Sequence, residues 1–250
     1  MLLIDAHAHL EHKLFKDVGE VIKRAEKAGI KVIINAGTNP ETNKSTLKLS
    51  KNYPIIKPAL GIHPTDSISL TQKEIDKEIK QIERNKSKII AIGEIGLDYH
   101  WHKKEKEKIK QNKTLKKLLD LAEKLNKPVF IHSRNAVNDT LEILKEYKLK
   151  IILHSFEGNK KQIQEAIKQG YYFSIPTSIT RSTHFQMLVK TAPLSKLLTE
   201  TDAPFLASKK DQRNEPGFIT QSIKKMANIK KMTKKEVANN IFLNYKNIFS

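Results

Sequence analysis

The sequence contains no cysteine. Disulfides and thiolate metal sites are thereby excluded, and any metal site must be built from His, Asp and Glu. Nowhere do about 18 apolar residues run together, which excludes a helix that crosses a membrane. The N-terminus lacks the basic stretch and cleavage site of a secretory leader. The expectation is a soluble, cytoplasmic protein with no membrane association and no obligate protein partner. Arginine is scarce: positions 24, 84, 134, 181 and 213 are the five among 46 basic residues, leaving 41 lysines. Acidic residues number 27, so the formal net charge is +19. Such an excess suits a polyanionic partner such as DNA or RNA. A lysine bias also follows from genome composition or a thermophilic host. Linkers and low-complexity segments are missing too. At 250 residues the chain can bury a large core, and a single domain over 1–250 is the simplest reading.

What is present is organised around the first ten residues. Leu2-Leu3-Ile4-Asp5-Ala6-His7-Ala8-His9 is a short apolar run ending in two histidines spaced two apart. In a strand, side chains at i and i+2 share a face, so two imidazoles would stand side by side. Imidazole is the commonest protein ligand for zinc-like metals and is neutral near pH 7.

Strand-like and helix-like segments then alternate. Strands are expected at 2–6, 32–35, 55–60, 88–93, 128–131, 151–153, 171–175 and 196–199. Helices are expected at 15–27, about 39–51, 71–85, 104–125, 138–147, 160–168 and near 183–190, with two more at 218–227 and 234–249. Thr71 is a candidate N-cap, with Glu74 three residues on. Continuous apolar strands argue for a parallel sheet covered on both sides. Eight such units in 250 residues match the count and size of a (β/α)8 TIM barrel.

The polar residues fall at strand ends. His7 and His9 follow the first strand, His63 the third, Glu94 the fourth, His132 the fifth, His154 the sixth and Asp202 the eighth. In a parallel barrel these ends converge on one mouth, where active sites sit. The set suits zinc, manganese, cobalt or nickel, and magnesium less comfortably. Even without His63, six ligands exceed the three that one catalytic zinc keeps. Two cations about 3.5–4 Å apart, bridged by one carboxylate, would use them all. Glu94 is the natural bridge, and one metal plus acid–base residues is the alternative.

Asp5-Ala6-His7-Ala8-His9, Gly61-Ile62-His63-Pro64, Gly93-Glu94-Ile95-Gly96-Leu97-Asp98-Tyr99, Pro128-Val129-Phe130-Ile131-His132-Ser133-Arg134 and Glu200-Thr201-Asp202-Ala203-Pro204-Phe205-Leu206 stand in that order. Together they resemble the successive motifs of the TatD family, metal-dependent deoxyribonucleases among the amidohydrolase-like TIM barrels. The resemblance runs from residue 5 to about residue 216. It implies that His7, His9, Glu94 and Asp202 hold one cation, and Glu94, His132 and His154 the other. It implies His63 beside the site, against the scissile phosphate or its water. Asp98 would support the Gly-Glu-Ile-Gly-Leu-Asp turn, Glu200 would support the ligands, and Gln111 matches a family position after the fourth strand.

The chain departs from the family at several points. Ser155-Phe156-Glu157-Gly158 follows His154 where Cys-Phe-Ser/Thr-Gly is common, so Glu157 adds negative charge near the mouth. Leu115 stands where an aromatic is usual. Trp101, in His100-Trp101-His102, could stack on a base or pack as an ordinary loop aromatic. Arg134 is a candidate phosphate contact or a structural ion pair. Lys209 and Lys210, in the loop after the eighth strand, are further candidate phosphate contacts.

Three functions compete. The first is hydrolysis of DNA phosphodiesters by a metal-activated water, exonuclease-like, with Asp202, Glu94 and His63 as catalytic residues. The second is a binuclear hydrolase of a small amide, lactone or phosphoester. Related barrels often bridge their metals with a carbamylated lysine after the fourth strand, where this chain has Glu94. The third is a nucleic-acid-binding protein without activity, which the ligand set opposes because unused buried polar groups are costly.

Overall fold

A computed structural model describes residues 1–249. Ser250, the last residue of the expected domain, lies outside the described residues. The chain forms β1 (Leu3–Ala8), α1 (Val18–Lys27), β2 (Ile30–Ala36), α2 (Pro40–Asn52), β3 (Ile56–Leu60), α3 (Pro64–Ser69), α4 (Gln72–Arg84) and β4 (Ala91–Asp98). It continues with α5 (Glu105–Leu125), β5 (Val129–Arg134), α6 (Val137–Leu144), β6 (Ile151–His154), α7 (Lys160–Lys168) and β7 (Tyr172–Ile175). Then follow α8 (Thr183–Thr191), β8 (Leu197–Thr199), α9 (Ile219–Lys230) and α10 (Lys234–Phe249).

The eight strands pair in sequence order, each parallel to the next. The ring closes between β8 and β1 through loop contacts past the eighth strand. His9 N donates to Ala203 O (2.8 Å), and Asp202 N donates to His7 O (2.9 Å). This is the TIM-barrel fold expected from eight repeating units. Its strands are apolar on both faces because one face lines the barrel and the other meets helices. Every residue of β1 and of β4 is buried. The helices bury one stripe each, as Ile75 and Ile82 of α4 show. Thr71 and Glu74 close a capping box at that helix's start, as expected.

Several bounds shift by two or three residues, β1, β2 and β5 each running further than expected and the first helix starting later, at Val18; two segments differ more. The fourth strand is not 88–93 but Ala91–Asp98. Its ladder with β5 continues through Ile95↔Ile131, Gly96↔His132 and Asp98↔Arg134, past the end of the apolar run. Gly96 permits this, because a Cβ there would collide with the carbonyl of His132. The second difference is α3, which is too short and too polar to show a helical period. It follows directly from His63, whose Nδ1 accepts from Thr65 N (3.3 Å) at the helix start.

Candidate metal centre

Strand geometry brings the metal-competent residues to one mouth, though several sit inside strands rather than past them. His7 lies in β1, Glu94 in β4, His132 in β5, and His154 ends β6. His9, His63 and Asp202 lie in the loops that follow β1, β3 and β8. Asp202 has φ +56°, a left-handed conformation that costs a non-glycine residue energy. Its amide donates to His7 O (2.9 Å) and the Thr201 amide to Asp5 Oδ1 (2.8 Å), both in β1, which maintains that conformation.

Four ligand-type atoms meet on one side of Glu94. His7 Nε2 and His9 Nε2 are 3.2 Å apart. Glu94 Oε2 lies 3.3 Å from the first and 3.4 Å from the second, and Asp202 Oδ1 lies 3.3 Å from His9 Nε2. A tetrahedral cation with bonds of about 2.0–2.1 Å has ligand–ligand edges of about 3.3 Å. Four edges of the donor set match that measure, and the His7 Nε2–Asp202 Oδ1 edge is wider at 3.9 Å, so the set suits a divalent metal with Asp202 drawn in slightly. On the other side, Glu94 Oε1 is 2.9 Å from His132 Nδ1, 3.5 Å from His63 Nε2 and 3.9 Å from His154 Nε2.

Hydrogen bonds behind the rings set which nitrogen faces the centre. His9 Nδ1 donates to Ala36 O (2.8 Å), His154 Nδ1 to Glu200 Oε2 (2.8 Å), and His132 Nε2 to Asp98 Oδ2 (3.0 Å). Each such bond orients the opposite nitrogen inward, as partners behind metal-ligating histidines do. His63 differs. Its Nδ1 lies against Thr65, 2.7 Å from the hydroxyl and 3.3 Å from the amide that donates to it, which leaves Nε2 facing Glu94 Oε1 at 3.5 Å.

The electrostatics follow from burial and from these partners. Burial pushes the Glu94 carboxyl up, but His63, His132, His7 and His9 outweigh it and hold it well below the usual range. Asp202 is likewise held down, by His154 and His9 against burial. Burial lowers His154, yet Glu200 and Asp202 raise it to about 10. Against burial, Asp202, Glu11 and Glu94 raise His9 well above its ordinary value. His63 drops to about 3 through burial, so it is neutral. Two ionised carboxylates amid convergent imidazoles form a site that a cation satisfies as well as protons do.

The centre floors a cavity of about 650 Å³. Trp101, Arg134 and Glu157 line its walls, as do Phe205 and Asp66. The Arg134 guanidinium lies 5.6 Å from the Trp101 ring centre, so its contact is with the indole. Lys209 and Lys210 are exposed and are not among the residues lining the cavity. Leu115 is buried in the core, which makes its departure from the family pattern a packing change. Gln111 is fully buried on α5: its Oε1 accepts from Asp98 N (2.8 Å) and its Nε2 donates to Asp98 O (3.0 Å). Sequence reasoning missed Glu11, Asp66 and Phe205 at this mouth. Phe205 follows Asp202 by three residues within a motif, which was the available signal.

A family model for TatD related DNase matches residues 4–250. Deoxyribonuclease TATDN3 of Homo sapiens is 36% identical over 246 residues, covering 94% of this chain and 90% of the human protein. The uncharacterized metal-dependent hydrolase YabD of Bacillus subtilis (strain 168) is 34% identical over 256 residues, covering 99% of both chains. The crystal structure of YJJV, a TatD homologue from Escherichia coli K12, matches with a TM-score of 0.90 at 27% identity, covering 99% of this chain and 97% of that one.

Proposed function

The chain belongs to the TatD-related DNase family and is a metal-dependent hydrolase of ester bonds, and from that premise we propose that it cleaves DNA phosphodiester bonds with two divalent cations, as one barrel domain over 1–250. The observation that carries the reading is the orientation of Glu94. Its Oε2 faces His7 and His9, while its Oε1 faces His132. One carboxylate thus addresses two nitrogen groups, the arrangement a bridging ligand requires.

In this reading His7, His9, Glu94 and Asp202 would hold one cation, and Glu94, His132 and His154 the other. Zinc, manganese, cobalt, nickel or magnesium would supply Lewis acidity, acidifying a water and neutralising charge at the phosphate. Asp202 Oδ1 is engaged by His9, so Oδ2 would accept the proton of the attacking water. His63, neutral and oriented by Thr65, would donate its Nε2 proton in a hydrogen bond to a phosphate oxygen. Arg134 and Trp101 would contact the strand within the cavity, and Lys209 and Lys210 would meet backbone phosphates outside it. The net charge of +19 supports a polyanionic substrate.

Glu157 at the mouth favours a second reading, a small and less charged ester, because a carboxylate there repels phosphate. The deciding experiment is digestion of 3′- and 5′-end-labelled single-stranded DNA by the chelated protein with Mg²⁺, Mn²⁺ or Zn²⁺ restored. Cleavage that depends on metal and disappears in Glu94→Ala supports the nuclease. Stoichiometric metal binding with no cleavage transfers the assignment to the small ester.

A further inference from the structure

Trp101 and Phe205 are two of the large apolar side chains most open to solvent, at 66% and 48% exposure. Both line the cavity above the metal centre. Trp101 follows β4 and Phe205 follows β8, and in a ring of eight strands these two lie opposite each other. Each stands three residues after a carboxylate of the site, Asp98 or Asp202.

Neither aromatic is loose. Asp98 Oδ1 accepts from the amides of His100 (2.9 Å) and Trp101 (3.2 Å). Phe205 N donates to Asp202 O (2.7 Å), and the buried Asn214 holds the Phe205 carbonyl at 2.7 Å. Exposed apolar side chains are common singly, but two aromatics lining one cavity rimmed by polar groups mark a ligand-binding groove. Indole and phenyl faces of this kind are platforms for nucleic-acid bases, which stack without regard to sequence. The Arg134 guanidinium beside the indole adds a charge within reach of the adjoining phosphate.

We propose that Trp101 and Phe205 form a two-sided base clamp, each stacking on a base that flanks the scissile phosphate. The inference rests on the reading of the substrate as a DNA strand. A base can enter the clamp only when it has left its own stack, so the clamp selects unpaired nucleotides.

Trp101 is the single tryptophan of the chain, so tryptophan emission reports on this platform alone. The test titrates the metal-loaded protein with two phosphorothioate strands that resist hydrolysis. One is oligothymidylate and the other an abasic oligomer of equal length and charge. The thymine-bearing strand is expected to quench the emission and to bind about tenfold more tightly than the abasic one. Phe205→Ala should lose that advantage, and Phe205→Tyr should retain it. Equal binding and quenching by both strands, or an unchanged preference in Phe205→Ala, overturns the clamp. Quenching by an ordinary strand that no metal allows the protein to cleave would keep the clamp and sink the nuclease. Cleavage without quenching would sink the clamp alone.

Discussion

Asp98 grips His132, with 3.0 Å between Oδ2 and Nε2, while its other carboxylate oxygen holds the amides of His100 and Trp101. One side chain thereby sets the orientation of an imidazole at the centre and the position of the loop above it. Asp98→Asn keeps an oxygen for the loop amides but turns an NH2 group towards His132. The ring must then accept at Nε2 and carry its proton on Nδ1, the atom that faces Glu94. Metal affinity is expected to fall about 10–100-fold. A calorimetric metal titration of the variant measures this, and an unchanged isotherm would show that the Asp98 contact does not set the ring's tautomer.

Glu94→Gln tests the proposed bridge. An amide presents one neutral oxygen where the carboxylate presents two sharing a charge, so one of the two facing nitrogen groups keeps an oxygen, the other meets an NH2, and neither keeps an anion. The variant should bind one equivalent of metal instead of two and lose about a thousandfold in turnover. Metal analysis of the dialysed protein, combined with a nuclease assay, checks both halves. Wild-type turnover would rule the bridge out.

Gln111 tests how the strand end is supported. It occupies both the N–H and the C=O of Asp98 inside the core. Gln111→Met fills nearly the same volume and leaves both backbone groups unpaired. The expected loss of stability is about 2–4 kcal/mol, measured by urea denaturation. A loss below about 0.5 kcal/mol would mean that water replaces the amide.

A cluster away from the centre predicts a pH dependence. Arg213 bridges Asp17 (2.7 Å) and Glu215 (2.7 Å), and Arg24 also pairs with Glu215 (2.8 Å). Bonding to Arg213 holds the Asp17 carboxyl below its ordinary value. Burial raises Glu215, but Arg24 and Arg213 outweigh burial and lower it. Both folded values lie below the unfolded ones. Their contribution is therefore complete above the unfolded values, near pH 4, and is lost as pH falls below them. The loop between β8 and α9 should become more open to acid-stable protease below about pH 4, and Asp17→Asn should produce part of that opening at neutral pH. Cleavage in the loop that does not vary with pH would exclude the cluster as its anchor.

Much of the fold was legible because the signals are local. Eight apolar runs, each followed by a helical period, set the barrel, and the α4 capping box and the α10 span emerge as expected. The fourth strand was misplaced because Glu94, Gly96 and Asp98 interrupt its apolar run, while the alternating Ile95 and Leu97 are buried and the strand end is held by pairing with β5 and by the space above Gly96. The helix α3 was missed because six residues are too few to show a period.

The sequence by itself determined the donor chemistry. With no cysteine, a metal centre can be made only of imidazole and carboxylate, and the sequence puts His7, His9, Glu94, His132, His154 and Asp202 on or just after successive apolar runs. Tertiary structure decided the rest, because ring tautomers, atom-to-atom distances and exposure depend on neighbours distant in sequence. Only folding shows that Thr65 lies behind His63 and leaves its Nε2 towards Glu94, and that Glu94 faces two groups at once. Only folding sets Trp101 across the mouth from Phe205, more than a hundred residues later in the chain.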